Sequence, residues 1–175
     1  IAALSVADSG LLVVCASSGV EVGTEKGWDY LENVNLPRTV FVNKMDRENA
    51  SFSRVVEQLR NHFGPKLVPV QLPIGEAESF SGIVDLVAMK AYVKDGDTLK
   101  EAPIPAEMEA DVEAAREEMI EAASVADDEL MMKYLEGEEL TDKEIEHAVK
   151  LGTQSGELVP ILCGSSQSTF GVSLL

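Results

Sequence analysis

Three polar residues with complementary chemistry follow an apolar run in the stretch TVFVNKMDRE, residues 39–48. Asn43 supplies an amide, Lys44 an ammonium group and Asp46 a carboxylate. A carboxylate can accept two hydrogen bonds from adjacent donors, an amide both donates and accepts, and the aliphatic stem of a lysine can cover a flat ring. Together these groups could recognise the edge of a planar, polar heterocycle.

Guanine offers a carboxylate two adjacent donors, on N1 and on the exocyclic 2-amino group. Adenine offers neither, and a site built on such bonds can reject the analogue by a factor of about 10⁴ or more. Asn43 could reach the far edge of the base and nearby backbone, while Met45 is free to be structural. The motif Asn-Lys-x-Asp therefore predicts guanine recognition. An alternative stays open, in which Asp46 or Asn49 caps a helix that begins near Ser51.

A second polar turn, with the sequence CGSSQ, ends another apolar run at a matching place. Gly164 in this turn would allow a close approach of the backbone. We expect the N–H groups of Ser166 and Gln167 to donate to the O6 carbonyl of guanine. We also expect the hydroxyl of Ser165 to brace Asp46.

The elements that must position these turns alternate between strands and helices. Apolar runs without alternation are typical of strands that are covered on both faces of a parallel sheet. Helical spacing of apolar residues predicts a helix from residue 24 to 33 and another from 52 to 63, which Gly64 ends. This pattern predicts an α/β fold, in which ligands bind beyond the carboxyl ends of the strands. The predicted strands are LLVVCAS (11–17), TVFVN (39–43) and VPILCG (159–164).

Residues 65–155 interrupt this alternation and predict an inserted α+β subdomain. Short strands come first, with a hairpin turn expected at Asp95-Gly96. Acidic helices follow, and Thr141 with Glu144 forms a capping-box pattern at the start of the last one. Residues 1–64 and 156–175 would then form the surrounding unit.

The composition favours a folded, acidic protein. The 175 residues are 45% hydrophobic and carry a formal charge of −17, so a core can form, whereas direct binding to nucleic acid is disfavoured. Between Glu101 and Glu146 there are seventeen acidic and three basic residues. Such a surface suits a lysine-bearing partner, although a merely solvated face is an open alternative. No signal peptide or membrane-spanning stretch is evident, and no metal site is predicted.

The chain resembles the second half of the GTP-binding domain of translation elongation factor G, a large translational GTPase. The resemblance covers essentially all 175 residues in order, and its most specific stretches are TVFVNKMDRE, VPVQLPIGEAESFSGIVDLVAMKA, DELMMKYLEGEELTDKEIEHAV and LVPILCGS. It implies a partial P-loop-GTPase-type parallel sheet with an inserted α+β subdomain. It also implies that the NKMD and GSSQ turns read the guanine of GTP or GDP.

The same resemblance implies a cytoplasmic GTP hydrolase that uses Mg²⁺, drives ribosomal translocation and turns its acidic insert towards the ribosomal stalk protein. A ribosomal-protection or ribosome-release relative is an alternative within this class. An acidic interaction module with no nucleotide role is the alternative from another class.

Two departures from the family stand out. Ser166 occupies a place where the family usually has alanine, and the following loop lacks the lysines often found there, which suggests a paralogue. The sequence also contains no G-x-x-x-x-G-K-[ST] loop, no D-x-P-G-H segment and no evident magnesium ligand. It starts and ends within apolar patterns, without an initial Met. We therefore expect a piece of a longer protein that has no catalytic residues of its own, cannot hydrolyse GTP by itself and binds guanine nucleotide weakly or not at all.

Overall fold

Two four-stranded sheets organise the part of the chain that the computed structural model describes, residues 4–95 and 98–174. Numbered in chain order, the strands are β1 (Gly10–Cys15), β2 (Arg38–Asn43), β3 (Leu67–Pro69), β4 (Gln71–Ile74), β5 (Gly82–Asp85), β6 (Lys90–Asp95), β7 (Thr98–Ala102) and β8 (Val159–Cys163). The first sheet has the order β1-β2-β8-β3 and is parallel throughout, whereas the second has the order β4-β5-β6-β7 and is antiparallel. The α/β class and the parallel arrangement that the sequence predicts are confirmed.

Two helices cover one face of the parallel sheet. The first, α1 (Val22–Asn33), buries Trp28 and Leu31, and the second, α2 (Phe52–Phe63), buries a stripe of apolar residues. The left-handed backbone of Gly64, with φ of 97°, ends α2 where the sequence predicts. Each large side chain that is buried here stabilises the fold by roughly 1.5–3 kcal/mol relative to an exposed one.

The strand β1 departs from the expectation that each apolar run is covered on both faces. Leu12 and Val14 are buried, but Leu11 is 50% and Val13 53% exposed. Alternate residues of a strand point to opposite faces. The expectation is wrong for β1 because this strand lies at the edge of the sheet, where the described residues cover only one of its faces.

The antiparallel sheet begins two residues after β3 ends. Because β3 pairs in parallel with β8, it belongs to the first sheet. A subdomain that starts at residue 65 would therefore include one strand of the parallel unit, by which we mean the parallel sheet with α1 and α2. The strands on either side of the predicted turn, β6 and β7, pair in antiparallel fashion, with Asp95 opposite Thr98. Gly96, the second residue of the predicted turn, lies outside the described residues.

Three helices complete the inserted region: α3 (Glu109–Ser124), α4 (Asp128–Leu135) and α5 (Asp142–Ser155). The predicted capping box opens α5, since the Thr141 N–H donates to Glu144 Oε2 at 2.8 Å and the Glu144 N–H donates to Thr141 Oγ1 at 3.4 Å. No helix within residues 4–95 and 98–174 is both long and apolar enough to cross a bilayer.

The inserted helices share a core with the second face of the parallel sheet. Phe41 of β2 and Leu162 of β8 are buried in one cluster with Val112, Met119 and Ile145 of the inserted helices. Their strand neighbours, such as Val40 and Val42, belong instead to the cluster beneath α1 and α2. The insert is thus packed against the same strands that end at the candidate site.

Candidate functional site

Two polar turns lie side by side at the carboxyl edge of the parallel sheet. The first turn, residues 43–46, begins at the last residue of β2, and the second turn, residues 164–170, follows β8. The two strands are paired in parallel, with Val42 opposite Cys163, so both turns leave the sheet at the same edge. This is the edge at which ligands bind in open α/β sheets.

The side chain of Asn43 joins the two turns. Its Nδ2 donates to Ser166 Oγ at 2.9 Å, and its Oδ1 accepts the N–H groups of Ser166 at 2.9 Å and Lys44 at 2.8 Å. The bond to neighbouring backbone that the sequence analysis foresaw is therefore present. It fixes the spacing between segments that are 123 residues apart in sequence.

Backbone bonds reinforce this arrangement. The Met45 N–H donates to the Gly164 carbonyl at 3.1 Å, and the Gly164 N–H donates to the Val42 carbonyl at 3.0 Å. Met45 is fully buried, which confirms its predicted structural role. Lys44 adopts a left-handed conformation with φ of 65°, a strained choice for a residue that has a side chain. Such strain, held by surrounding bonds, is frequent at ligand sites.

The second turn is closed by its own backbone. The Ser165 N–H donates to the Phe170 carbonyl at 2.9 Å. Gly164 is required here, because a Cβ at this position would lie 2.4 Å from the Phe170 carbonyl oxygen and 2.9 Å from Phe41 Cζ. The close approach predicted for Gly164 is thus an approach of protein backbone to protein backbone.

The remaining predicted residues of the second turn differ in whether their polar groups are free to bind a ligand. Ser165 is fully buried and its hydroxyl accepts the Ser168 N–H at 3.4 Å, so the foreseen brace to Asp46 is not among the bonds of the described residues. The Ser166 N–H, expected to be free for a ligand, donates to Asn43. Gln167 is exposed, and its N–H stays a candidate donor to a base.

Asp46 is half-buried and takes part in none of the side-chain hydrogen bonds or ion pairs of the described residues. It does not cap α2, because that helix starts after Ser51 without a side-chain cap and its Phe52 N–H donates to Glu76 Oε1 at 2.6 Å. The helix-cap alternative for Asp46 and Asn49 therefore has no support in the structure. Asp46 is left as an acceptor at the edge of the site.

Cys15 adds a polarised group beside the first turn, since it is paired with Asn43 across β1 and β2. Burial acts to raise the pKa of its thiol, but hydrogen bonds from Ser17 and Ser18 outweigh this effect and lower the pKa to about 7. The thiol lies 3.2 Å from the Ser17 hydroxyl. Burial raises the pKa of the Cys163 thiol, and the negative charge of the Glu76 carboxylate raises it further.

Sequence reasoning missed Glu76 and Ala77, which reach the site from the inserted region. Besides the bond from α2 to Glu76, the Ala77 N–H donates to the Met45 carbonyl at 2.9 Å. No local sequence pattern predicts such contacts. The glutamate three residues before Ser79 is only a weak signal of a small capped turn. Groups of three or more potential metal-ligating side chains are absent from the described residues.

Comparison with known proteins identifies a family and a similar solved structure. A crystal structure of a protein from Thermus thermophilus matches with a TM-score of 0.89 and 37% sequence identity, over 98% of this chain and 26% of that chain. This chain therefore spans about a quarter of the length of that protein. All residues from 1 to 175 match the family described as elongation factor Tu GTP binding domain. The chain therefore belongs to the elongation factor Tu GTP-binding domain family, the GTP-binding domains of translational GTPases.

Proposed function

We propose that this chain supplies guanine recognition to a translational GTPase of the elongation factor G type. The observation that carries the proposal is the Asn43 bridge, which holds two turns together at the carboxyl edge of the sheet and leaves the Asp46 carboxylate without a protein partner among the described residues. A half-buried carboxylate in this position is suited to the N1–H and 2-amino donors of guanine.

Each of the predicted residues has a distinct part in this proposal. Asp46 accepts the two donors of the base, and the stem of Lys44 covers one face of the ring. Asn43 and Ser166 set the distance between the turns, because their polar groups are engaged with each other. The exposed Gln167 N–H donates to O6, and Ser165 acts through the fold of its turn.

The base site is tested by the Asp46→Asn substitution in the gene product, that is, in the protein as its gene encodes it and not in residues 1–175 alone. An amide offers a donor where a carboxylate only accepts, so the variant should lose affinity for GDP and gain affinity for XDP, whose xanthine has a carbonyl at position 2. Loss of two charge-assisted hydrogen bonds predicts a weakening for GDP of roughly 100-fold or more. Asp29→Asn, an exposed change on α1, is the matched control. An unchanged GDP-to-XDP preference in Asp46→Asn would rule out the base-reading role.

The nucleotide phosphates and Mg²⁺ need groups beyond those of the base site. Because the sequence has no phosphate-binding G-x-x-x-x-G-K-[ST] motif, we infer that residues 1–175 alone bind guanine nucleotide weakly and do not hydrolyse GTP. Micromolar affinity for GTP in a calorimetric titration of these residues would contradict this inference. In the gene product, Mg²⁺ bound to the phosphates would neutralise their charge.

The acidic insert supports a second part of the proposal, contact with a basic partner on the ribosome, such as its stalk protein. Two of the three basic residues between 101 and 146 are paired internally, Arg116 with Asp142 at 2.9 Å and Lys133 with Glu144 at 2.6 Å. Most acidic side chains of α3 are exposed. Exposed apolar side chains, among them Leu135 at 72% exposure, accompany them. A partner that presents lysines around an apolar patch would complement this surface.

Charge reversal distinguishes partner binding from mere solvation. Glu118 is unsuitable for this test, because it forms an ion pair with Arg60 at 2.6 Å. Reversal of Glu117 and Glu121 to lysine should weaken binding to ribosomes and reduce its dependence on salt. Reversal of two exposed acidic residues of the parallel unit, Asp29 and Glu57, is the matched control. Equal effects of the two pairs would favour a solvated face.

Action on the ribosome would imply a cytoplasmic location. Regions of the protein outside this domain would decide whether it acts in translocation, in ribosomal protection or in ribosome release.

A further inference from the structure

One segment of the inserted region contacts both turns of the candidate site. This junction segment, residues 71–83, contains β4, a short 3₁₀ turn at Ala77–Ser79 and the first residues of β5. It contacts the carboxyl edge of the parallel sheet through Ala77 and Phe80. Its contacts go to backbone and core atoms of the turns, so they bear on geometry and not on ligand chemistry.

The junction segment holds the first turn and the start of α2 together. The Ala77 N–H donates to the Met45 carbonyl at 2.9 Å. The neighbouring Glu76 Oε1 accepts the Phe52 N–H at 2.6 Å and so caps α2 from outside. The residues between Met45 and Phe52, which include Asp46, are thereby anchored at both ends by adjacent residues of the insert.

The 3₁₀ turn is itself constrained, which makes it a firm support. Ser79 Oγ donates to the Glu76 carbonyl at 2.7 Å and accepts the Glu76 N–H at 3.1 Å. Ala77 has φ of 54°, a strained conformation that persists only where surrounding contacts hold it. A Cβ at Gly75 would lie 2.2 Å from the Ser79 carbonyl oxygen.

The same segment also supports the second turn. The Phe80 ring meets the Phe170 ring edge-on, with centroids 5.5 Å apart and an interplanar angle of 90°. Phe170 is the residue whose carbonyl closes the second turn. Gln71, 2% exposed, accepts the Cys163 N–H through Oε1 at 3.3 Å, immediately before that turn.

We propose that the junction segment is a positioning element for the base site, in which Glu76, Ala77 and Phe80 of the insert set the place of Asp46 relative to the second turn. This inference rests on the proposed guanine recognition. Its consequence is that base selectivity depends on residues that touch no nucleotide.

The test compares Glu76→Ala with Glu76→Gln in the gene product. Glutamine keeps an oxygen that can accept the Phe52 N–H, whereas alanine does not. The readout is the ratio of the dissociation constants for IDP and GDP, since hypoxanthine lacks the 2-amino group and the ratio reports the contact of that group with Asp46. A loss of fold alone lowers the amount of competent protein without altering this ratio.

Wild type is expected to prefer GDP strongly, and Glu76→Ala should reduce the preference roughly three- to tenfold, the range that one weakened hydrogen bond allows. Glu76→Gln should stay within about twofold of wild type, because the capping bond is retained. Phe80→Leu, which keeps apolar volume but removes the ring contact with Phe170, should also reduce the ratio and serves as the test if Glu76→Ala does not fold.

Two failures are distinguishable. If wild type does not discriminate GDP from IDP, guanine reading by Asp46 fails. If wild type discriminates but the folded Glu76→Ala or Phe80→Leu variant keeps the wild-type ratio, the positioning role of the junction segment is overturned while base reading stands.

Discussion

Replacement of Asn43 by alanine should lower the free energy of unfolding by about 1.5–3.5 kcal/mol, even without nucleotide. The side chain makes three hydrogen bonds, with Ser166 Oγ, the Ser166 N–H and the Lys44 N–H, at 2.8–2.9 Å. A protein hydrogen bond contributes about 0.5–1.5 kcal/mol net, and the two bonds to Ser166 are exposed, so the lower half of that range applies to each. The expected loss is the sum over the three bonds.

Two variants with smaller changes separate these bonds. Ser166→Ala removes only the bond from Asn43 Nδ2 and should cost about 0.5–1 kcal/mol. Asn43→Asp keeps the oxygen that accepts both N–H groups, and its second oxygen can accept the Ser166 hydroxyl in place of the bond from Nδ2, although it adds a negative charge to an already acidic chain. Because Ser166→Ala and Asn43→Ala both remove the bond between Asn43 Nδ2 and Ser166 Oγ, their effects should not add in full in the double variant.

Urea denaturation followed by the fluorescence of Trp28, the only tryptophan of the sequence, measures these differences. Trp28 is buried and stacked on Phe63 at 4.4 Å between centroids, so its emission reports the parallel unit. If Asn43→Ala is no less stable than Ser166→Ala, the Asn43 oxygen does not hold the two turns, and the assignment of Asn43 as their bridge is refuted.

Further predictions concern the insert and the second turn. Arg116→Met should cost about 2–4 kcal/mol in urea denaturation, because a guanidinium with a side chain only 17% exposed donates to two backbone carbonyls just beyond the end of β5. Gly164→Ala should cost about 1–3 kcal/mol and displace the second turn, because the new Cβ would overlap the Phe170 carbonyl; an unchanged stability would contradict that packing. A hydrogen bond from Lys133, followed by bonds from Thr141, lowers the pKa of Glu144 from 4.5 to about 2. This depressed pKa contributes stability that is complete above about pH 4.5 and is lost as the pH falls towards 2, so Glu144→Gln should flatten the pH dependence of unfolding within that window.

The sequence predicted those parts of the fold that depend on local pattern. The strand β2, the helix α2 with Gly64 at its end, and the capping box of Thr141 all have signals within a few residues, and the structure confirms them. The position of the two turns at one edge follows from the rule that parallel strands end together, so it too could be predicted. These elements sufficed to propose where a base would bind.

The remainder depends on which elements become neighbours, and no local pattern contains that information. The exposed side of β1 could not be foreseen, because apolar runs look alike in edge and central strands. The sequence predicts a free Ser166 N–H, because the Asn43 oxygen that accepts it lies 123 residues away in the chain. Glu76 was missed because it caps a helix that begins 24 residues earlier in the chain.

The position of the insert between the two turns gives it a role in assembling the site. The chain leaves the first turn at Asp46 and returns to the second only at Gly164, so the Asn43 bridge closes a loop that contains the whole insert. Closure of so long a loop costs conformational entropy, and the contacts of Ala77 with Met45 and of Phe80 with Phe170 offset that cost close to the site. A substitution that loosens the insert should therefore increase amide hydrogen exchange in both turns, although no candidate base-contacting residue lies within the insert.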